Sequence, residues 1–261
     1  MIRGYYQAAS GMITQQRRTE MLNDNLANVN TPGHKADYAG IRSFPNMLIQ
    51  AMNTGQRQPV GELSTGVYMQ ERTPDYRQGD LQETGTSTDV ALLQGFVDGG
   101  GLFFAVAGED GETAYTRNGN FAVDGEGYLT TSAGHRLLGN DGEAMLVTNE
   151  WFQMNETGEI TDQEGNAVGQ LDVRFAEDPN DLVKAGESLL TTEGGELPSA
   201  IGNADLPYSL QQGFVERSNV DPMTTMTDMM TAYRQFEANQ TVLQAYDQNL
   251  QRAANDIGRL G

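Results

Sequence analysis

The sequence predicts an α+β protein: a discontinuous coiled coil of N- and C-terminal helices, with a mainly β outer domain between them. Apolar residues repeat every seven positions near both termini, which is typical of helices that contact another helix. The middle of the chain has short apolar runs separated by Asp-Gly and other glycine-rich turns, which is typical of β-hairpins. Because a lone amphipathic helix is only marginally stable in water, we expect the terminal helices to pair. The alternative is two ordinary surface helices on a globular core.

The first helix is predicted over residues 3–30, where six of the eight heptad positions are apolar. Gly11 costs about 1 kcal/mol in a helix relative to alanine, so its presence indicates that another backbone comes close there. The residues assigned to the helix contact are Tyr5, Met12, Leu22, Leu26 and Val29.

A helix-exit motif follows, comprising Asn25, Asn28, Asn30, Thr31, Pro32 and Gly33. Pro32 disfavours helical geometry at the residue before it, and Gly33 can adopt a left-handed turn, so the helix is expected to end near Asn30. The three asparagines are expected to satisfy exposed backbone groups at the helix end without adding charge. The alternative is that they are solvated amides.

The second helix is predicted from Pro222, with Asp221 as its N-cap, to Gly258. Nine of its ten heptad positions are apolar. The residues assigned to the helix contact are Met229, Phe236, Leu243, Tyr246, Leu250 and Ile257. The methionines at 223, 226, 229 and 230 are expected to be helix contacts, with a flexible partner groove as the alternative.

The outer domain is predicted over residues 79–205, with strands at 101–146, 168–176 and 187–192. Residues 36–78 and 206–217 are expected to form a connector, and residues 1–35 and 218–261 the terminal helical domain.

The charge of the chain excludes several classes of function. Its 36 acidic and 16 basic residues give a net charge of −20, so binding to nucleic acid is not expected. Residues 61–210 carry 27 acidic and 6 basic side chains, a net of −21.

There is no cysteine, and the two histidines are far apart in sequence, so no thiolate or histidine metal site is predicted. No segment approaches the roughly 20 apolar residues needed to span a bilayer, and no conventional secretory signal is present.

No catalytic, cofactor-binding or metal-ligating residue is assigned. Asp124 and Asp141 each precede a glycine in a turn, where aspartate is favoured for backbone reasons alone. The glycine run at 99–101 precedes a strand and lacks the Gly-Lys-Ser/Thr of a phosphate loop.

Five stretches in this order resemble the bacterial flagellar hook–basal body rod protein family, and among its members the distal-rod type most closely. They are "SGM" at 10–12, "NLANVNTPGHKA" at 25–36, "LQETGTSTDVAL" at 81–92, "YTRNGNFAVDGEGYLTTSAGHRLLG" at 115–139 and "SNVDPMTTMTDMMTAYRQFEANQTVLQAYDQNLQ" at 218–251. The opening "MIRGYYQAA" and the segment at 92–104 depart from the family pattern, so distal rod, proximal rod and the paralogue pair of Gram-positive bacteria all stay open.

The resemblance implies a non-enzymatic structural subunit that polymerises with itself into the helical drive shaft between motor and hook. The terminal helices would line the inner tube, and the exit motif would be an assembly hinge where neighbouring subunits meet. Implied partners are other rod and hook proteins and the flagellar type III export apparatus. The implied location is the basal body outside the cytoplasm, reached without a conventional signal peptide. The alternatives are a low-copy rod or hook assembly cap or adaptor, and a cell-wall hydrolase using carboxylates of the β domain.

Overall fold

The computed structural model describes residues 2–45, 47–53, 56–63, 66–95, 99–108, 111–186, 188–203 and 205–258. It confirms a mixed helix and strand fold, with one long helix near each terminus and a mainly β middle. The chain forms two compact units. The helical unit comprises Met1–Ala27, Asp37–Thr73 and Asp221–Gly261; the β-rich unit comprises Asn28–Ala36 and Pro74–Val220. The predicted division into inner, connector and outer domains concerns position in an assembly and stays a prediction.

Helix α1 of the helical unit spans Ile2–Ala27 and ends three residues before the predicted Asn30. Residues 28–30 form a turn in which the Thr31 amide donates to the Asn28 carbonyl over 3.1 Å. This hydrogen bond spans three residues, whereas the hydrogen bonds of an α-helix span four. The α-helical hydrogen bonds therefore end before the position at which Pro32 alone would stop them.

Helix α2 spans Pro222–Gly258, as predicted. The Asp221 carboxylate accepts hydrogen bonds from the backbone amides of Met223 and Thr224, at 3.0 and 3.4 Å. These bonds satisfy two of the amides that have no partner inside the helix, which confirms Asp221 as the N-cap.

Six short strands follow α1. The strands from β1 to β6 are Asp37–Tyr38, Ile41–Ser43, Met47–Asn53, Gln56–Leu63, Val67–Met69 and Thr73–Pro74. In the helical unit, strand β2 pairs antiparallel with β5, and β3 pairs antiparallel with β4.

The β-rich unit contains the remaining strands. The strands from β7 to β20 are Leu81–Glu83, Val90–Gln94, Gly101–Ala107, Thr113–Thr116, Phe121–Val123, Leu129–Thr131, Gln153–Met154, Glu159–Thr161, Ala167–Gln170, Val173–Ala176, Val183–Gly186, Leu189–Thr191, Tyr208–Gln212 and Phe214–Glu216. The unit is built around a five-stranded antiparallel sheet of order β16-β9-β10-β18-β17. A short 3-10 helix spans Pro179–Asp181.

Strand β9 forms the centre of this unit because both of its faces are buried. Leu102, Phe104 and Val106 point to the main core, whereas Phe103 packs with Tyr115 in a smaller second core. Successive side chains of a strand point to opposite faces, so the continuous apolar run "LFFAV" fits a strand covered on both sides. Strands also occur within all three predicted β stretches, at 101–146, 168–176 and 187–192.

Candidate functional site

The two helices of the helical unit lie antiparallel and in contact. A Cβ atom built at Gly4 would be 2.1 Å from the Tyr246 hydroxyl, and one at Gly11 would be 2.9 Å from the Asn239 amide nitrogen. Moving seven residues forward on α1 therefore moves seven residues back on α2. The two glycines leave room for these α2 side chains, so the close neighbour expected at Gly11 is a side chain and not a backbone.

The face of α2 with least exposure coincides with the predicted heptad positions. From Met229 to Arg252, every residue that is not exposed falls on one of them. These residues are Met229, Ala232, Phe236, Asn239, Leu243 and Tyr246. Leu250 is exposed, at 41 %, and the side chain of Ile257 lies outside the described residues. The helix pair is an observed contact, and its supercoiling as a coiled coil stays a prediction.

On α1 the five residues predicted for the helix contact are buried or half-buried. Leu22 is buried, and Tyr5, Met12, Leu26 and Val29 are half-buried. Gly4 and Gly11, each one position before Tyr5 and Met12, also lie against α2, and Arg18 forms an ion pair with Asp228 of α2 over 3.7 Å. The assignment of these five residues to the helix contact stays a prediction.

Asn25 holds the start of the segment that leaves α1. Its side chain is buried, its amide nitrogen donates to the Asp37 carbonyl, and its oxygen accepts from the Asp37 amide, both at 2.9 Å. One carboxamide thus satisfies both backbone groups of a residue twelve positions later. Asn25 does satisfy backbone groups, as predicted, but they belong to Asp37 instead of the helix end.

We expect Asn25→Ala to destabilise the helical unit by about 1–3 kcal/mol, because two buried backbone groups lose their partner. Hydrogen exchange of the Asp37 amide should become about tenfold faster or more. Asn30→Ala is the matched control: Asn30 is exposed, so its replacement should change stability by less than about 0.5 kcal/mol. Equal effects of the two changes would contradict this role for Asn25.

The rest of the exit motif belongs to the β-rich unit. The Thr31 hydroxyl donates to the Asn28 side-chain oxygen over 3.1 Å, closing the turn. Gly33 has a φ of +70°, and its amide donates to the Glu216 carbonyl over 2.7 Å. Gly33 thus provides the left-handed turn predicted for it, and the turn is tied to strand β20.

A buried cluster of charges lies beside this turn. The Glu216 carboxylate accepts from the Lys35 ammonium and from the Arg117 Nε, each at 2.6 Å, and all three side chains are buried. The Gly79 amide donates to the same carboxylate over 2.7 Å, and Lys35 also donates to the Arg77 carbonyl over 2.8 Å. The cluster therefore joins four separate parts of the β-rich unit.

Sequence reasoning missed this cluster. Lys35 is 181 residues from Glu216, and Arg117 is 99 residues from it, so no local spacing connects them. The only sequence signal is the scarcity of lysine, since Lys35 is one of two lysines in the chain.

The pKa values in the cluster are shifted by burial and by the neighbouring charges. Burial lowers the pKa of Lys35 below its ordinary 10.5, although the nearby Glu216 opposes this change. Burial acts to raise the pKa of Glu216, but the charges of Arg117 and Lys35 outweigh it and hold that pKa below its ordinary 4.5.

This lowered pKa predicts a pH dependence of stability. A carboxylate with a lower pKa in the folded state stabilises the fold above its unfolded pKa, near 4.5, and that contribution is lost as the pH falls through the folded value. The difference in unfolding free energy between wild type and Glu216→Gln should therefore be largest near neutral pH and shrink on acidification to about pH 3. Other carboxylates cancel in this difference. A constant difference across the range would contradict the prediction.

Within the described residues, no helix is both long and apolar enough to cross a membrane.

Three family models match the chain. They are described as flagella basal body rod protein (residues 6–35), flagellar hook protein FlgE/F/G D1 domain (96–149) and flagellar basal body rod FlgEFG protein C-terminal (211–256). The first covers most of α1 and the exit motif through Lys35, and the last covers Glu216 and most of α2.

Curated relatives match over nearly the whole chain. The flagellar hook-basal body complex protein FlhO of Bacillus subtilis is 43 % identical, with 100 % of both chains covered. The flagellar basal-body rod protein FlgG of Borreliella burgdorferi is 31 % identical over 99 % of this chain and 100 % of its own. The flagellar basal-body rod protein FlgF of Salmonella typhimurium is 32 % identical over 94 % of this chain and 93 % of its own.

Proposed function

Because this chain belongs to the flagellar basal-body rod protein family and is a non-enzymatic structural subunit of the rod, we propose that it is of the distal-rod type and polymerises with itself into a helical drive shaft linking motor to hook. The observation that carries this proposal is the contact between α1 and α2, two long helices from opposite ends of the chain. A helix pair with a heptad stripe is suited to further helix packing in a tube.

In this proposal, residues 1–35 and 218–261 form the inner tube as a coiled coil, 36–78 and 206–217 the connector, and 79–205 the outer domain. The strong negative charge of residues 61–210 supports a solvent-facing position for that part, because crowding so many like charges inside a tube would be costly.

The subunit belongs to the flagellar basal body. We propose that it reaches a position outside the cytoplasm through the flagellar export apparatus, without a conventional signal peptide, and then binds neighbouring rod and hook proteins. Terminal helices that stay disordered until they meet a partner would prevent polymerisation before export.

Deletion of the gene in the source organism tests the structural role. Electron microscopy of isolated basal bodies should show rods that end early and lack hooks, and the wild-type gene should restore both. Complete rods and hooks in the deletion strain would contradict the proposal.

Counting copies of the chain per basal body separates a polymer from an assembly cap or adaptor, which would be present in only a few copies.

The heptad stripe of α2 offers a second test in the same strain. Leu243→Asp places a charge on the half-buried stripe and should abolish swimming while the β-rich unit stays folded. Val242→Asp, at an exposed neighbouring position, is the matched control and should support swimming. Normal swimming with Leu243→Asp would contradict the proposed role of the stripe in assembly.

A further inference from the structure

A second apolar stripe on α2 does not face α1. Met223, Met226, Met230 and Tyr233 are 75, 45, 57 and 50 % exposed. Their spacing of three, four and three residues puts them on one face of the helix. At about 100° per residue, this face lies about 110° around α2 from the stripe that contains Met229 and Phe236.

The spacing of this stripe indicates a helical partner. Positions three and four residues apart form the ridge that packs against another helix, whereas an extended chain would match a spacing of two. Three of the four residues are methionines, whose unbranched side chains adapt to a neighbouring surface. A continuous run of exposed apolar side chains of this kind marks an interaction site.

Helix α1 carries a second, different apolar face. Tyr6 and Ile13 are 65 and 50 % exposed and lie seven residues apart. Each is two residues after a glycine that approaches α2, so this face points about 200° away from the glycines around the helix. Each helix of the pair therefore carries exposed apolar side chains away from the face where α1 and α2 meet.

We infer that the stripe formed by Met223, Met226, Met230 and Tyr233 binds the Tyr6 and Ile13 face of a second copy of this chain. The inference rests on the proposed polymerisation and names the surface that performs it. Both faces belong to the two helices of the observed pair and lie on sides of these helices that the pair leaves exposed.

The charges of the helices favour this pairing over like-with-like contacts. Over Ile2–Ala27, three basic and two acidic residues give α1 a net charge of +1. Over Pro222–Gly258, four acidic and two basic residues give α2 a net charge of −2. Opposite signs favour α1 of one copy on α2 of the next. A contact between two different faces does not close on itself and generates an open helical polymer.

Cysteine cross-linking in isolated hook–basal bodies tests the contact, and the chain has no cysteine of its own to interfere. A chain carrying both Ile13→Cys and Met226→Cys should form a ladder of disulfide-linked multimers on mild oxidation. Within one copy these positions are about 16 Å apart along the helix axis, too far for an intramolecular disulfide. A chain that carries only Ile13→Cys or only Met226→Cys should form few disulfide-linked multimers.

The pair Ile13→Cys with Val242→Cys is the matched control, because Val242 is 44 % exposed on another face of α2. It should give no ladder. If the chain is present in basal bodies but the first pair gives no ladder, or if Met226→Cys alone gives dimers, the inferred contact is wrong. If the unmodified chain is absent from basal bodies, the proposed function itself is wrong.

A second test compares a double variant, Met226→Gln with Met230→Gln, with the single variant Val242→Gln by counting the copies of the chain per basal body. Both variants replace exposed apolar side chains of the same helix by amides. The double variant should reduce the number of copies per basal body about tenfold or more. Equal copy numbers for the double variant and the Val242 control would also overturn the inference.

Discussion

Glu216→Gln is expected to lower the free energy of unfolding of the β-rich unit by about 3–5 kcal/mol, because it leaves the buried charges of Lys35 and Arg117 without their counter-ion. Lys35 and Arg117 are 7 and 5 % exposed as side chains, so water cannot take over from the carboxylate. Native-state hydrogen exchange of the β9 amides measures the change, since core strands open only with the whole unit.

Glu126→Gln is the matched control for this prediction. Glu126 also pairs with an arginine at 2.6 Å, but its side chain is 70 % exposed, so the loss should be below about 1 kcal/mol. Adding Lys35→Met to Glu216→Gln should recover part of the stability, because one of the two uncompensated charges is then removed. Similar losses for Glu216→Gln and Glu126→Gln would show that the buried cluster does not act as a unit.

Gly33→Ala is expected to destabilise the β-rich unit by about 2–5 kcal/mol. A φ of +70° costs an L-residue about 1–2 kcal/mol. The new Cβ would also lie 2.3 Å from the Arg117 carbonyl oxygen, a backbone atom that cannot move aside freely, and such overpacking costs about 1–3 kcal/mol more.

Gly85→Ala separates the cost of the left-handed backbone from the cost of overpacking. Gly85 has nearly the same φ, +71°, but a Cβ there would meet nothing within 4 Å. Its replacement should therefore show only the backbone cost of about 1–2 kcal/mol. Urea unfolding of both variants, with the same hydrogen-exchange readout, gives the comparison. Equal losses would mean that the close approach of Arg117 contributes nothing.

The helices and strands that could be predicted are those whose signals lie in residues close together in the sequence. The sequence predicts the α2 helix, its start and its N-cap, and the half-buried positions from Met229 to Tyr246, because a heptad repeat and an Asp-Pro start depend only on neighbours in sequence. The β character of 101–146 followed from turn residues for the same reason. The end of α1 was placed three residues late, since the Asn28–Thr31 turn competes with the helix in a way that Pro32 does not signal.

In the candidate site, too, features with a local sequence signal could be predicted, whereas their distant partners could not. That Gly33 forms a left-handed turn could be predicted from the sequence, whereas the Arg117 carbonyl beside it could not. That Asn25 bonds to backbone could be predicted, but its partner Asp37 could not. The exposure of Met223 and Met230, and therefore the second stripe of α2, depends on which face α1 covers.

By itself the sequence determined two terminal helices, a β middle, the exit turn and membership of a rod protein family, because periodicity, turn chemistry and motif order are written along the chain. Only the tertiary structure decided that Lys35, Arg117 and Glu216 form one buried cluster and that Gly4 and Gly11 leave room for Tyr246 and Asn239 of α2. The reason is physical: contacts between residues far apart in sequence depend on how the elements pack, and no local propensity encodes which distant side chain will neutralise a buried charge.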